Sequence, residues 1–194
     1  MRLSGRRLPR SFYLRPTLDV AQDLIRKTIV YHHPEGVVAG DIVEVEAYIG
    51  EDDPACHAAV GLTERNRVMY GNGGFCYIYF IYGMYHCLNV VTERRQFPAA
   101  VLIRAVEPVA GREIMVANSP AACRKLTDGP GKLCRAFGLT RRQNGLDLTG
   151  SILYLIDRGH GAPSIGMSQR IGVRRGADRR WRFFDQDSDY ILRR

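Results

Sequence analysis

The sequence predicts an α+β fold: a single domain with a mostly antiparallel, curved β-sheet, a protruding β-hairpin and surrounding helices. Several segments alternate apolar and polar residues with the period of two that is typical of strands. Two of them, residues 75–82 and 85–92, are separated only by Gly83 and Met84, which predicts a hairpin. The strand segments do not alternate with long helical patterns, so a parallel sheet of βαβ units is not expected.

Local sequence patterns predict the order of helices, strands and turns along the chain. Residues 1–16 show no period and predict an irregular N-terminal arm. Apolar residues recur at helical spacing over 18–25, and Pro16 marks the start of that helix. Strands are predicted at 28–31, 42–49, 75–82, 85–92, 99–106 and 151–157, a turn at 33–36, and short helices at 112–118 and 131–137.

The length of the chain fits one domain, spanning residues 1–194. No segment approaches the roughly 18 consecutive apolar residues of a membrane span, and the basic N-terminus lacks the apolar centre of a secretory signal. We therefore expect a soluble monomer that is not exported and does not bind membranes. It would be cytoplasmic or nucleoid-associated in a bacterium and nuclear in a eukaryote.

The cysteines and histidines favour neither disulfides nor a metal site. Five cysteines form no Cys-x-x-Cys pair, so we expect reduced and mostly buried thiols. They are Cys56, Cys76, Cys87, Cys123 and Cys134. The five histidines lack the spacing of zinc sites, and no metal is expected.

The charge of the chain points to an anionic partner. The net charge is +8, and 25 of the 28 basic residues are arginine, since Lys27, Lys125 and Lys132 are the three lysines. A planar guanidinium suits phosphate recognition, and a basic domain of this size fits a polyanion. A merely solvated basic surface is the alternative.

Two glutamates share one side of a predicted strand. Within residues 42–49, Glu44 and Glu46 point the same way, as does Tyr48. Carboxylates two residues apart on a strand lie roughly 6–7 Å apart. That is near the roughly 6.5–9.5 Å separation in inverting glycosidases. Two ordinary glutamates on a solvent-facing side would produce the same pattern.

Arg104 and Asn89 stand among apolar neighbours in predicted strands. A buried arginine needs a carboxylate partner, and Glu46 would serve. A buried asparagine needs its amide satisfied, by protein or by ligand. The pattern leaves structural and functional roles open for both residues. It also leaves open whether His57 merely stabilises its polar loop.

Three basic segments are candidates for phosphate contacts. Arg65 and Arg67 flank an asparagine and could clamp a phosphate or cap the following turn. The helix start at Gly131 and Lys132 lacks the full phosphate-loop motif but could hold one backbone phosphate. The arginines between residues 170 and 182, around Trp181, could form a backbone-contacting surface or a solvated face.

These residues together resemble one family, the alkyladenine (methylpurine) DNA glycosylases. The resemblance covers about residues 12–184, with the motifs in the family's order. The motifs are Val45-Glu-Ala-Tyr48, His57, Arg65-Asn-Arg67, Tyr77-Ile-Tyr-Phe-Ile-Tyr-Gly-Met-Tyr85 with Asn89, Leu102-Ile-Arg-Ala-Val-Glu-Pro108 and Gly129-Pro-Gly-Lys-Leu-Cys134.

The resemblance implies a role for the large residues at the hairpin tip. Tyr82 would enter the minor groove of duplex DNA, with Met84 beside it, and fill the gap left by a nucleotide rotated out of the stack. Flipping costs a few kcal/mol, and an inserted ring recovers part of the lost stacking. A tyrosine in a turn would otherwise be a packing residue.

The resemblance also implies a pocket for the flipped purine. Tyr48, His57 and Tyr79 would sandwich the base, and Asn89 would crowd the 2-amino group of normal guanine. Glu46 would activate water, with Arg104 orienting the carboxylate. A backbone carbonyl within Arg170–Val173 would also hold that water.

The function that follows is a monofunctional DNA glycosylase of base excision repair. It would hydrolyse damaged purines (3-methyladenine, 7-methylguanine, hypoxanthine, ethenoadenine) from double-stranded DNA and leave an abasic site, with water as nucleophile and no cofactor. The alternatives are a non-catalytic nucleic-acid-binding module and a carbohydrate hydrolase that uses Glu44 with Glu46.

Overall fold

The computed structural model describes residues 3–120 and 125–191, which contain nine strands, four α-helices and three 3-10 helices. The strands are β1 (Arg6–Arg7), β2 (Thr28–His33), β3 (Gly36–Ile49), β4 (Cys76–Ile81), β5 (Tyr85–Val91), β6 (Ala99–Ala110), β7 (Leu153–Asp157), β8 (Ile165–Ser168) and β9 (Arg182–Asp185). The α-helices are α1 (Arg10–Tyr13), α2 (Thr17–Asp23), α3 (Arg112–Ala117) and α4 (Pro130–Phe137). The 3-10 helices are His57–Val60, Arg67–Tyr70 and Arg141–Gln143.

Strand β3 organises a single antiparallel sheet in the order β1-β7-β2-β3-β6-β5-β4. On one edge, β3 pairs with β2 as far as Asp41 and then with β9 from Glu44 to Glu46. On its other edge β3 pairs with β6, with register shifts on both sides of Glu44. The two glutamates therefore lie where β3 changes partner, with strands on both sides.

The hydrophobic core joins the sheet to helices α2 and α4. The buried cluster around Ile103 of β6 also contains Val20 of α2, Leu24 at the end of that helix and Phe137 of α4, all of them fully buried. Helix α4 begins with a proline and ends at Gly138, whose φ of +69° is the left-handed conformation that suits glycine at a helix end. The α+β class with a mostly antiparallel sheet is confirmed.

Most predicted elements are present with their ends shifted by up to four residues, and β3 begins six residues earlier than predicted, but the N-terminal arm was predicted wrongly. Residues 1–16 were expected to be irregular, yet they contain β1 and α1. Leu8 and Tyr13 are buried, and Arg10 donates hydrogen bonds to the Gly73 carbonyl at 2.7 Å and to Asp147 at 2.5 Å. These partners lie far along the chain, so local periodicity does not reveal the elements.

Strands β8 and β9 were not predicted. Each has four residues, and β9 begins at Arg182, the last arginine of the stretch that was interpreted as surface. Glycine at position 166 lets β8 approach β9 closely, since a Cβ there would lie 2.3 Å from the ring of Phe184. Short strands of this composition show too little alternation to be recognised.

The thiols are as predicted in the described ranges. Cys56, Cys76, Cys87 and Cys134 are free and buried. The remaining cysteine, Cys123, lies outside the described residues. Within those ranges, no helix is long and apolar enough to cross a bilayer.

Candidate active site

The hairpin of β4 and β5 presents large apolar side chains to solvent. Its ladder closes at Ile81 and Tyr85. Tyr82 at the tip has a φ of +55°, an unfavourable conformation for a tyrosine. Tyr82 is 78% exposed and Met84 is 59% exposed. Packing within the protein therefore does not explain these residues; the predicted position of Tyr82 at the tip is confirmed, while its insertion into DNA stays a prediction.

A cleft of about 920 Å³ opens beside the hairpin, and aromatic residues form its walls. His57 and Tyr79 meet edge to face, with ring centroids 4.4 Å apart. Nδ1 of His57 lies 2.9 Å from the hydroxyl of Tyr77, which fixes the imidazole ring. Tyr48 supplies a further wall. The three residues predicted to sandwich a purine thus line one cavity, and Tyr77 is an addition that the prediction missed.

Asn89 of β5 lies in the same cleft and is 4% exposed. Its amide nitrogen donates to the carbonyls of Tyr77 at 3.0 Å and Cys87 at 3.4 Å. Two backbone acceptors therefore set the orientation of the side chain. They also answer the question raised by the sequence, because the protein itself provides hydrogen-bond partners for the buried amide nitrogen.

Glu46 lies just behind the cleft surface and is completely buried. Three residues that line the cleft contact its carboxylate: Tyr48, Arg104 and Ile171. The hydroxyl of Tyr48 donates to Oε2 at 2.8 Å, and the backbone N–H of Ile171 donates to Oε1 at 2.6 Å. Nη1 of Arg104 lies 3.2 Å from Oε1. The predicted pair of Glu46 with Arg104 is present in the structure.

Glu44 is also buried, at 1% exposure, and is held by two arginines. Its Oε1 accepts from Nε of Arg104 at 2.8 Å and from Nε of Arg182 at 2.6 Å. Arg182 also donates to the hydroxyl of Ser168 at 2.9 Å. The alternative of two glutamates on a solvent-facing side is therefore wrong, because two carboxylates and two guanidinium groups form a balanced buried cluster.

Burial sets the protonation of the cleft walls. It lowers the pKa of His57 to about 4, with a smaller contribution from the nearby charge of Arg65. Burial raises the pKa of Tyr48 and Tyr79 well above the ordinary value, and that of Tyr77 to about 12. At neutral pH the four rings of the cleft walls are accordingly uncharged.

The arginines between residues 170 and 182 were interpreted as either a backbone-contacting surface or a solvated face, and neither interpretation holds for Arg170 and Arg182, which are buried. Arg182 binds Glu44, and Arg170 forms a two-point ion pair with Asp53 at 2.5 and 2.8 Å. The guanidinium of Arg170 lies 4.7 Å from the ring of Tyr48 and 5.2 Å from that of Trp181. Arg170 thus supports the back of the cleft wall.

Two exposed arginines of that segment, Arg174 and Arg175, do border the cleft. The prediction had placed them in a general basic face, because an arginine-rich stretch gives no signal for which members point toward a cavity. Ile171, three residues before Arg174, donates its backbone N–H to Glu46.

The remaining candidates for phosphate contacts lie around the cleft. Arg65 donates to the carbonyl of Phe80 at 3.4 Å, and Arg67 forms an ion pair with Glu64. Lys132 is 51% exposed and pairs with Asp128 at 2.8 Å. Gly131 packs under Tyr85, since a Cβ at position 131 would lie 2.6 Å from that ring. Their roles toward DNA stay predictions.

A metal centre is not formed by the residues that the structure describes. Among residues 3–120 and 125–191, no group of three or more His, Cys, Asp or Glu side chains is arranged to hold an ion.

Comparison with known proteins identifies the family. Residues 11–189 match the methylpurine-DNA glycosylase family. A relative from Methanocella arvoryzae is 51% identical over 192 residues, 96% of each chain. Relatives from Sodalis glossinidius and Wolbachia pipientis wMel are each 46% identical, over 181 and 191 residues; these cover 93% and 97% of this chain and 98% of each relative. All three carry the provisional name 3-methyladenine DNA glycosylase. The chain belongs to the methylpurine-DNA glycosylase family and is a DNA glycosylase, a hydrolase of N-glycosyl bonds.

Proposed function

We propose that this protein removes alkylated and deaminated purines from double-stranded DNA by simple hydrolysis and leaves an abasic site. The substrates in this proposal are 3-methyladenine, 7-methylguanine, hypoxanthine and ethenoadenine. The observation that carries it is one cleft that joins aromatic walls to a buried carboxylate–arginine pair, beside a hairpin with an exposed tyrosine. A single chain supplies all of these groups, which supports action as a monomer.

The hairpin would open the duplex. A base inside the stack cannot reach a cleft, so the nucleotide must rotate out at a cost of a few kcal/mol. Tyr82, with Met84 beside it, would occupy the vacated position and restore part of the stacking. The exposed basic groups around the cleft, Arg174 and Arg175 among them, would hold the adjacent phosphates.

The walls would hold the flipped base by stacking. Each base–aromatic contact is worth about 1–3 kcal/mol. Tyr48, His57 and Tyr79 offer this contact as neutral rings, which accommodates both a cationic methylpurine and neutral hypoxanthine. Asn89, fixed by two carbonyls, would clash with the 2-amino group of guanine and so disfavour the normal base.

Hydrolysis would use water as the nucleophile. The water oxygen bonds to C1′ of the sugar, the bond from C1′ to the purine nitrogen breaks, and the base leaves with that electron pair. Glu46 accepts the proton that the water loses. Arg104 and the backbone at Ile171 border both the carboxylate and the cleft, so a water between them lies within reach of Glu46. A carbonyl within residues 170–173 would complete its hydrogen bonds.

The reaction would stop at the abasic site. Strand cleavage by a glycosylase needs an amine nucleophile for a Schiff base. In the described part of the chain, the residues that line the cleft include no lysine. No described residue of the cleft therefore supplies such an amine.

The carbohydrate-hydrolase alternative fits the geometry less well. An inverting pair needs two carboxylates that face the substrate from opposite sides. Here Glu44 and Glu46 both bind the same guanidinium of Arg104, and Glu44 is also bound by Arg182.

Incubation with a hypoxanthine-containing duplex tests the proposal. We expect alkali-labile sites only at the hypoxanthine, free hypoxanthine in solution, and no strand breaks before alkali treatment. Binding without base release would favour the non-catalytic module, and strand breaks without alkali would contradict the monofunctional mechanism.

A further inference from the structure

A second exposed apolar site lies in the loop that follows His57. The most exposed large apolar side chain of the described residues is Val60, at 79%, followed by Tyr82 at 78%. Leu62 and Met84 come next, at 59% each. Scattered surface apolar residues need no explanation, but here the four most exposed ones fall in two neighbouring segments. Two of them belong to the hairpin, and the other two belong to residues 58–66, which we call the Val60 loop.

The Val60 loop is held in one conformation by a buried asparagine. Asn66 is 1% exposed, and its amide nitrogen donates to the carbonyl of His57 at 2.9 Å and to that of Gly61 at 2.8 Å. Its oxygen accepts the N–H of Thr63 at 2.7 Å. Three hydrogen bonds from a buried side chain make the loop a built structure, and this structure holds Val60 and Leu62 out in water.

The Val60 loop is continuous with the mouth of the cleft. It begins directly after His57, which lines the cleft. Near its end, Arg65 donates to the carbonyl of Phe80 in the hairpin at 3.4 Å, and its guanidinium lies 5.4 Å from the ring of Tyr79. The loop is therefore attached to β4, the strand that leads to Tyr82, and it starts at a residue that lines the cleft.

We propose that Val60 and Leu62 form a second apolar contact with the duplex, in the minor groove beside the displaced nucleotide. This inference rests on the proposed function. A hairpin that enters the groove widens it and partly unstacks the neighbouring base steps, which exposes base faces and sugars, the apolar surfaces that aliphatic wedges contact. Arg65 near the end of the loop and Arg67 directly after it, which is paired with Glu64, supply positive charge for the phosphates that flank such a groove. The occupant is therefore duplex DNA opened by the hairpin.

A serine variant of both residues tests the contact. Val60→Ser with Leu62→Ser should weaken binding to a duplex with an abasic-site analogue by about tenfold, the effect of losing a contact that only partly buries the two aliphatic side chains. Because no charge is removed, the slope of log K against log salt concentration should equal that of the wild type. Single-turnover excision at saturating enzyme should stay within about twofold.

Ile152→Ser is the matched control. Ile152 is 50% exposed and directly precedes β7, which lies near the opposite edge of the sheet from β4 and β5 in the strand order. This variant should bind as the wild type does, and the melting temperatures of all three proteins should agree. Wild-type affinity in the double variant would overturn the proposal, and so would a weaker affinity that comes with a changed salt slope. A wild-type protein that binds the duplex but releases no hypoxanthine contradicts the proposed function and leaves the loop contact measurable. Failure to bind DNA at all contradicts both.

Discussion

The buried centre of the sheet and the exposed hairpin tip use opposite means to prepare a site. The sheet-centre cluster (Glu44, Glu46, Arg104, Arg182) holds four charged groups with every member below 9% exposure. The hairpin tip (Tyr82–Met84) holds apolar groups in water, on backbone with positive φ at Tyr82. In the first arrangement, opposite charges hold one another in place. In the second, apolar side chains stay exposed to water.

The difference separates chemistry from DNA binding. A carboxylate that must accept a proton at a fixed point benefits from a rigid, water-poor setting in which its partners cannot move. A side chain that must enter another molecule cannot be buried in its own. Substitutions in the sheet-centre cluster should therefore affect stability, and those at Glu46 or Arg104 should affect the rate as well. Substitutions at the hairpin tip should affect DNA binding and leave stability unchanged.

Removal of Arg104 should have the largest effect. Arg104→Gln leaves two buried carboxylates with only part of their compensation, so the free energy of unfolding should fall by about 3–5 kcal/mol. Excision should be nearly abolished as well, because Glu46 loses its orienting partner. Urea denaturation measures the first effect, with Arg112→Gln on an exposed position of α3 as control. A loss below about 0.5 kcal/mol, typical of surface changes, would show that the cluster is not held by this charge.

Tyr82→Ser tests the exposed hairpin tip, the other region of the comparison. The variant should bind a hypoxanthine duplex more weakly, by about tenfold, because base-stacking on one aromatic ring is worth about 1–3 kcal/mol. Its free energy of unfolding should stay within about 0.5 kcal/mol of the wild type. Phe97→Ser changes an exposed aromatic residue outside the hairpin and should leave DNA binding as it is. A melting temperature many degrees lower for Tyr82→Ser would identify it as a packing residue.

Asn89→Ser should change selectivity more than rate. A smaller side chain leaves room for the 2-amino group of guanine, so guanine excision should rise relative to hypoxanthine excision. The two single-turnover rates on otherwise identical duplexes give the ratio. An unchanged ratio would mean that Asn89 does not discriminate.

His57 should give the smallest effect, and it should depend on pH. Because burial lowers the pKa of His57 from its ordinary 6.5 to about 4, the unfolded chain binds this proton first. The associated stability is complete above pH 6.5 and is lost as pH falls toward 4. The stability of the wild type relative to His57→Gln, measured by urea denaturation, should decline over that window. A constant difference between the two proteins would mean that His57 is not kept neutral by folding.

Local patterns predicted the hairpin, with Tyr82 at its tip, and the pairing of Arg104 with Glu46. Local patterns could not show that Glu44 belongs to the same buried cluster. Its second arginine partner, Arg182, lies in β9, 138 residues further along the chain. The burial of Arg170 likewise depends on its ion pair with Asp53, which lies 117 residues earlier in the chain. An arginine-rich stretch is typical of a surface, and only its distant carboxylates decide which members turn inward.

The central claim is that Glu46 carries the chemistry while Glu44 positions Arg104. Glu46→Gln keeps the size of the side chain and one acceptor oxygen but cannot take the proton of water. Its single-turnover rate on a hypoxanthine duplex, at saturating enzyme, should fall by at least about 10²–10⁴-fold with damaged-DNA binding retained. Glu44→Gln still accepts from its arginines and should lose only a small factor in rate. A near wild-type rate for Glu46→Gln, or an equal loss in both variants, would contradict the claim.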